Sequence, residues 1–287
     1  MKILVTGSAG RLGEALMRTL RRGPHEAWGC DARVSALTQF VGSIADPAFV
    51  AGCMAGVDAV LHTATLHQPQ LATHSRRDFV DTNITGTLNL LEAAVAGQVG
   101  AFVYTSTTSA FGRALTPPPG APAVWVTEAT VPRPKNIYGV TKLAAEDLCE
   151  LFQREHELPS LVLRTARFFP ADGNETTNEL LNRRVDIDDA VDAHLRALER
   201  APEIGFGRYI ISATTPFEPG DLAALRHDAA AVVATRVPGF EAEYRRRGWA
   251  LAGGIDRVYV NAKARAELHW QPRHDFATAI QRRRDLD

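Results

Sequence analysis

The chain opens on an apolar run of strand length, Lys2-Ile3-Leu4-Val5-Thr6, which passes at once into Gly7-Ser8-Ala9-Gly10-Arg11-Leu12-Gly13. From Glu14 to Arg22 the apolar residues fall at helical spacing, through Ala15, Leu16, Thr19 and Leu20. Strand, glycine turn and helix in that order give a G-x-x-G-x-x-G string its meaning. One glycine allows the tight turn, one lets backbone N–H groups reach a pyrophosphate, and one lets helix and strand pack closely. The unpaired N–H groups at the helix N-terminus then face phosphate. Gly7, Ala9, Gly10, Arg11, Leu12 and Gly13 are therefore the predicted phosphate-binding turn of a dinucleotide site.

Further apolar runs repeat this alternation. Ala27 to Cys30 predicts a second strand ending at Asp31, and Phe40 to Asp46 a third strand running into a turn. Pro47 is well placed to start a helix. Asp58 to His62 predicts a fourth strand, followed by the small residues Thr63, Ala64 and Thr65, which let a cofactor approach. Asp78 to Gly97 carries a long helical stripe of Phe79, Val80, Ile84, Leu88, Leu91, Ala94 and Val95, with Asn83 as a polar intruder inside it. Phe102 to Thr105 predicts the fifth strand, and the hydroxyl-rich segment Ser106-Thr107-Thr108-Ser109 follows at its C-terminal end, the edge where open α/β sheets hold ligands. Thr116 to Pro134 is proline-rich and polar and reads as a loop. A helix follows from Asn136 to about His156, then strands at Leu161–Arg164 and Arg208–Ile211. Residues 171–185 are polar and asparagine-rich. Asp188 is the expected cap of a helix over Asp189–Glu199, and Arg257–Val260 the expected short strand of the C-terminal part. The alternation predicts an α/β fold with a parallel sheet and a small C-terminal lobe; the family resemblance given below implies that the sheet is doubly wound, of the Rossmann type, with residues 1–170 as the NAD-binding domain, to which 186–212 return, and 171–185 with 213–287 as the substrate lobe.

Composition narrows the partners. A length of 287 residues is ample for one large core with a small lobe. A net charge of -1 argues against nucleic acid or an anionic membrane as the main partner. The runs Arg245–Arg247 and Arg282–Arg284 read as solvated helix faces. Three widely spaced cysteines, Cys30, Cys53 and Cys149, suggest neither a disulfide framework nor a zinc cluster, and no metal is expected. His62 and His67 lack a third ligand at suitable spacing. His62 reads as a satisfied strand-end histidine, and His67 sits in a loop that could reach substrate. The carboxylates at 186, 188, 189 and 192 lack the glycine-turned loop of a calcium site and read as helix cap and solvated face. No stretch is apolar for long enough to span a bilayer. A strand entered at Lys2 leaves no room for a signal peptide, so a soluble cytoplasmic protein is expected.

Asp31 stands about 20 positions past the glycine turn, where the adenosine ribose hydroxyls are held. Its charge repels a 2′-phosphate and favours NAD, while Arg33 keeps NADP open. Ser43 and Ile44 would lie beside the adenine. Tyr138 and Lys142, four residues apart, face one side of a helix. A phenol is a poor base at neutral pH, with a pKa near 10, and an ammonium one turn away favours the phenolate by direct attraction. Such a base accepts an alcohol proton while hydride leaves the same carbon, and Thr107 can orient the same substrate oxygen.

These pieces together resemble the extended short-chain dehydrogenase/reductase family, in its NAD-dependent epimerase/dehydratase branch. The matching stretches are Thr6 to Gly13, Asp31, Asn83 to Thr87, Thr105 to Gly112, Tyr138-Gly139-Val140-Thr141-Lys142, Val185 to Asp189, Asn261 to Ala264, and Leu268 to Pro272. The resemblance implies Tyr138 as catalytic base, Lys142 as its tuner and ribose ligand, Thr107 as hydroxyl partner and Asn83 as a polar residue of the active site. Thr63, Ala64 and Thr105 join Asp31, Ser43 and Ile44 as cofactor contacts, and Thr107, Thr108, His67 and Arg184 are the substrate set. It implies a homodimer through the helices starting near 78 and 138, and a carbohydrate-type small-molecule substrate. Arg11 stands where such proteins commonly carry an aromatic. Thr108 and Ser109 stand where the sugar dehydratases carry an Asp-Glu pair, which argues against a 4,6-dehydratase. The short span from Pro170 to Asp188 favours a small sugar or sugar acid, as in the uronate dehydrogenases the chain also resembles. The expected activity is that of an NAD-dependent epimerase or dehydrogenase acting on a sugar, sugar acid or nucleotide sugar. The rival expectation is a dinucleotide-binding sensor or scaffold without chemistry.

Overall fold

The structure is a computed structural model that describes residues 1–282; Arg283 and Arg284 of the second basic run lie outside the described residues. Seven strands form one mostly parallel sheet: β1 (Lys2–Thr6), β2 (Glu26–Asp31), β3 (Phe40–Val41), β4 (Ala59–His62), β5 (Ala101–Thr107), β7 (Ser160–Thr165) and β8 (Phe206–Ile211). The separate strand β6 (Val124–Val126) pairs in parallel with β9 (Arg257–Tyr259). The order of the large sheet is β3-β2-β1-β4-β5-β7-β8. The chain winds outward from β1 to β3, then returns to lay β4 on the other side of β1, so the strand order reverses there. A crevice at such a reversal is where doubly wound sheets hold dinucleotides.

Near-continuous apolar runs are what a strand covered on both faces requires. In β1, Ile3, Leu4 and Val5 are fully buried, as are Leu161, Val162 and Leu163 in β7. Helices α1 (Arg11–Leu20), α2 (Pro47–Cys53), α3 (Arg76–Val80), α4 (Gly86–Ala96), α5 (Ile137–His156), α6 (Gly173–Leu180) and α7 (Ile187–Ile204) follow in order. Asp46 caps α2 by accepting from the amides of Ala48 and Phe49, with Pro47 in the first turn. Asn136 caps α5 by accepting from Gly139 N at 3.1 Å.

The chain divides into two compact units. The first comprises Met1–Ala110, Pro134–Arg164 and Val191–Tyr209. Its core includes Leu4, Val60, Phe102, Leu90, Leu91 and Val162. The second comprises Phe111–Arg133, Thr165–Ala190 and the chain from Ile210 onward. Its core includes Leu181, Phe217, Val233, Phe240, Val258 and Phe276.

Several local expectations are corrected. The 116–134 segment is not all loop, because Val124-Trp125-Val126 pairs residue for residue with Arg257-Val258-Tyr259. The polar stretch 171–185 contains α6, which Asp172 starts by accepting from Glu175 N at 2.8 Å. Asp186, not Asp188, tops α7, its carboxylate accepting from Asp188 N at 2.9 Å. That helix continues past Glu199 to Ile204, with Pro202 inside its last turn. Asp189 is no solvated carboxylate: it is buried and accepts from the amides of Arg273 and His274 and from His274 Nδ1. Arg245 and Arg246 are exposed as expected, while Arg247 is half-buried, and Arg246 and Arg247 both pair with the buried Glu243, whose carboxyl they hold down at about 2. The predicted helix over 78–97 is interrupted by a π-helical turn, Asp81–Thr85, between α3 and α4.

Candidate active site

The glycine turn between β1 and α1 is built by close backbone packing. Gly7 has φ +74°, and a Cβ there would lie 2.7 Å from Ala64 N and 2.8 Å from Thr63 Oγ1. A Cβ on Gly13 would lie 2.1 Å from Gly7 O, so the helix meets the turn where only a hydrogen fits. The Cys30 carbonyl accepts from both Gly7 N (2.8 Å) and Ser8 N (3.2 Å), tying the turn to β2. Gly10 caps α1 in extended conformation with no side chain over the helix end, which leaves the first-turn amides to a ligand. Leu12 is buried and Arg11 is exposed.

Asp31 ends β2 beside this turn. Its Oδ2 accepts from Ala9 N at 3.0 Å and its Oδ1 from Arg33 N at 2.9 Å. Arg33 reaches back to donate to Ala9 O at 2.9 Å. The acidic group and the cation thus both border the turn. Thr63 Oγ1 donates to Thr6 O at 2.7 Å and Ala64 N to Thr6 Oγ1 at 3.1 Å, so these two line the same crevice. Ser43 is exposed and Ile44 buried, the latter filling the space where a Cβ on Gly86 would lie 2.6 Å from its Cγ1. A turn filled by backbone, a bare helix end and a ribose-height carboxylate fit an adenine dinucleotide.

The second group lies between β5 and α5. Thr107, the last residue of β5, hydrogen-bonds the Tyr138 phenol and accepts from Ser109 N at 3.0 Å. Lys142 is 2% exposed, and its ammonium donates to Thr105 O at 2.6 Å and lies 4.1 Å from the centroid of the Tyr104 ring. Burial pushes the Tyr138 phenol up to about 12, and the Thr107 hydrogen bond pulls it back. Burial also lowers Lys142 to about 7, with Glu146 and Cys149 acting in the opposite direction. Burial thus disfavours the charged form of both groups, and in each case a neighbouring group opposes it.

Asn83 lies in the π turn and is 1% exposed. Its Oδ1 accepts from Leu66 N (2.8 Å) and Thr65 Oγ1 (3.0 Å), and its Nδ2 donates to Leu66 O (2.9 Å) and Thr141 Oγ1 (3.0 Å). One amide thereby fastens the loop after β4 to the helix that carries Tyr138 and Lys142. A π turn offsets the helical register at such a position. His62 is satisfied on both nitrogens, by Thr6 Oγ1 at 2.7 Å and Thr87 Oγ1 at 2.9 Å, and burial holds it neutral with a pKa of about 3. His67 heads the 3-10 turn Gln68–Ala72, and burial followed by the Lys142 and Arg33 charges lowers its pKa. Thr108 is buried at the start of the turn Thr108–Phe111. Arg184 belongs to the second unit, where its guanidinium is committed to Glu179 Oε2 at 2.7 Å and to the Phe169 carbonyl.

The first unit thus brings together Tyr138, Lys142, Thr107 and Thr105, with Asn83 behind them. Sequence reading misses Glu146, one turn beyond Lys142 and fully buried. The signal was present as a third member of the stripe Tyr138, Lys142, Glu146 at four-residue spacing. Among the described residues no group of three or more His, Cys, Asp or Glu side chains could hold a metal, and the three cysteines are free thiols. No helix among them is long and apolar enough to cross a membrane.

Fold and crevice together define a dinucleotide-binding α/β protein. The chain belongs to the NAD dependent epimerase/dehydratase family, whose profile matches residues 3–185. It is 38% identical over 126 residues to a 2-alkyl-3-oxoalkanoate reductase of Stenotrophomonas maltophilia, covering 42% of this chain and 37% of the relative. It is 33% identical over 184 residues to a dTDP-glucose 4,6-dehydratase of Streptomyces niveus, covering 57% of this chain and 53% of the relative. The matched stretches therefore span about a third to a half of those two relatives. A short-chain dehydrogenase/reductase superfamily protein of Agrobacterium tumefaciens, crystallised with bound NAD, superposes with a TM-score of 0.72 at 24% identity, covering 100% of this chain and 98% of the other.

Proposed function

We propose that this protein is an NAD-dependent oxidoreductase that moves a hydride between the cofactor and an alcohol carbon of a sugar, sugar acid or nucleotide sugar. The observation that carries the reading is the seating of Tyr138 and Lys142 on alternate residues of β5, Tyr138 on the Thr107 hydroxyl and Lys142 on the Thr105 carbonyl. Gly7, Ala9, Gly10, Arg11, Leu12 and Gly13 hold the pyrophosphate, and Asp31 the adenosine ribose. When bound, NAD would supply the hydride acceptor and a positive charge on its nicotinamide. Tyr138 takes the alcohol proton, Thr107 fixes the same oxygen, and Lys142 holds the nicotinamide ribose and adds the charge that favours a phenolate. Asp31 favours NAD, and Arg33, anchored on the Ala9 carbonyl, is the group through which NADP would also be accepted.

The dehydratase relative supports a sugar nucleotide, and the oxoalkanoate reductase supports hydride transfer at a simple ketone. Thr108 and Ser109 have no acidic group to protonate a leaving hydroxyl, so elimination is not assigned to this chain. The second unit is the proposed substrate lobe. The test is incubation with NAD and a panel of sugars, uronates, nucleotide sugars and 2-alkyl-3-oxoalkanoates with NADH. Net NADH marks a dehydrogenase, and epimer without net NADH marks an epimerase. Bound cofactor with no turnover of any panel member would favour a sensor.

A further inference from the structure

Glu146 is fully buried, and its carboxylate is held by Ser106 of β5 and by Arg164 and Arg208. Oε1 accepts from Ser106 Oγ at 2.5 Å and from Arg164 Nε at 3.1 Å; Oε2 accepts from Arg164 Nη2 at 2.7 Å, Arg164 Nε at 3.1 Å and Arg208 Nε at 3.2 Å. Ser106 stands between Thr105, whose carbonyl takes the Lys142 ammonium, and Thr107, whose hydroxyl meets Tyr138. Tyr138, Lys142 and Glu146 recur every four residues, so α5 presents them on one face, and four consecutive residues of β5 receive them. Tyr104 lies under the ammonium and the other three accept or donate.

We propose that Glu146 is a positioning residue of the reaction: through Ser106 it holds the end of β5 against α5, and one turn from Lys142 it supplies the negative charge that keeps that buried ammonium protonated. This rests on the reading of Tyr138 and Lys142 given above. Burial acts first on Lys142, lowering it to about 7, and the Glu146 carboxylate is the largest influence in the other direction. Among the other groups, Cys149 acts in the same direction but less than Glu146. Tyr138 and Cys149 on α5 and Tyr104 on β5 are held protonated by burial, all pushed up from their ordinary values. His62 on β4 is neutral, and His67 in the following loop is itself disfavoured as a cation by Lys142. Arg164 on β7 and Arg208 on β8 pair with the Glu146 carboxylate itself.

The experiment follows the Lys142 side chain directly, by the pH titration of its Cε resonance in full-length, NAD-free protein carrying 13C-lysine, assigned with Lys142→Arg. Glu146→Gln keeps the shape and removes the charge, and should lower the Lys142 midpoint by at least about one pH unit, a tenfold change in its protonation constant. Ser106→Ala keeps the charge and should leave that midpoint in place. Should Glu146→Gln fail to fold with two guanidiniums deprived of its carboxylate, Glu146→Gln/Arg208→Gln removes one of those cations and is expected to show a fall in the same direction. An unchanged or raised Lys142 midpoint in a folded Gln variant overturns the inference. The titration needs no turnover, so it separates the two readings. A shifted midpoint with turnover surviving in Tyr138→Phe would sink the catalytic assignment alone, and an unshifted one with turnover abolished would sink the Glu146 role alone.

Discussion

Asn83 shows how a single buried amide can hold a site together. All four of its hydrogen bonds run to groups outside its own helical segment, two to Leu66 and one each to Thr65 and Thr141. Asn83→Ala strands buried partners at both ends, so unfolding in urea should show a loss of roughly 1–3 kcal/mol. Lys142 makes the opposite argument, for a residue kept against stability. Its folded value of about 7 lies below that of an exposed lysine, about 10.4. Between those values the unfolded chain binds a proton that the folded chain does not, so this contribution to stability rises with pH through that window. Below about pH 7 both states are protonated and the penalty of the buried charge is constant. Lys142→Met should therefore melt higher than wild type at pH 6, by a few degrees, and the gap should narrow at pH 9. A gap of equal size at both pH values would show that the ammonium is not disfavoured by burial.

At the scale of elements, the glycine turn and α1 act as one device, because the packing leaves no room for a side chain between them. Gly13→Ala puts a methyl group against the Gly7 carbonyl, which is backbone and cannot rotate away. It should cost about 1–3 kcal/mol, as overpacking does, and weaken NAD binding in a fluorescence titration by moving the amides that face the phosphates. The same device was legible in the sequence, since the strand, the glycines and the periodic helix are all local signals. The seating of Tyr138 and Lys142 was legible as spacing but not as energetics, because their burial depends on β5, more than thirty residues away. What escaped was also non-local. Val124-Trp125-Val126 is a strand only because Arg257–Tyr259 pairs with it. Asp189 reads as a surface carboxylate until the amides of Arg273 and His274 close over it. The helix α6 is short and polar, with its one clear mark in the Asp172 cap, and a π turn leaves no trace in apolar spacing.

At the scale of the whole molecule, the family profile covers residues 3–185, which contain all the residues assigned to hydride chemistry. The substrate lobe proposed above lies in the second unit, and the relatives differ in the substrates their names give. We further propose a homodimer through α3, α4 and α5. Val140, one residue from Gly139 on α5, is 47% exposed, an apolar side chain on that face. Sedimentation should give twice the mass of one chain, and Val140→Glu should shift it toward one; a monomeric wild type would refute this arrangement. The central claim concerns Tyr138 alone, and Tyr138→Phe tests it most directly, since phenylalanine keeps the ring and removes only the proton acceptor. With an active panel substrate, turnover should fall by roughly 10²–10⁴-fold while NAD binds as tightly as before. Turnover that survives unchanged with the phenylalanine in place would contradict the account.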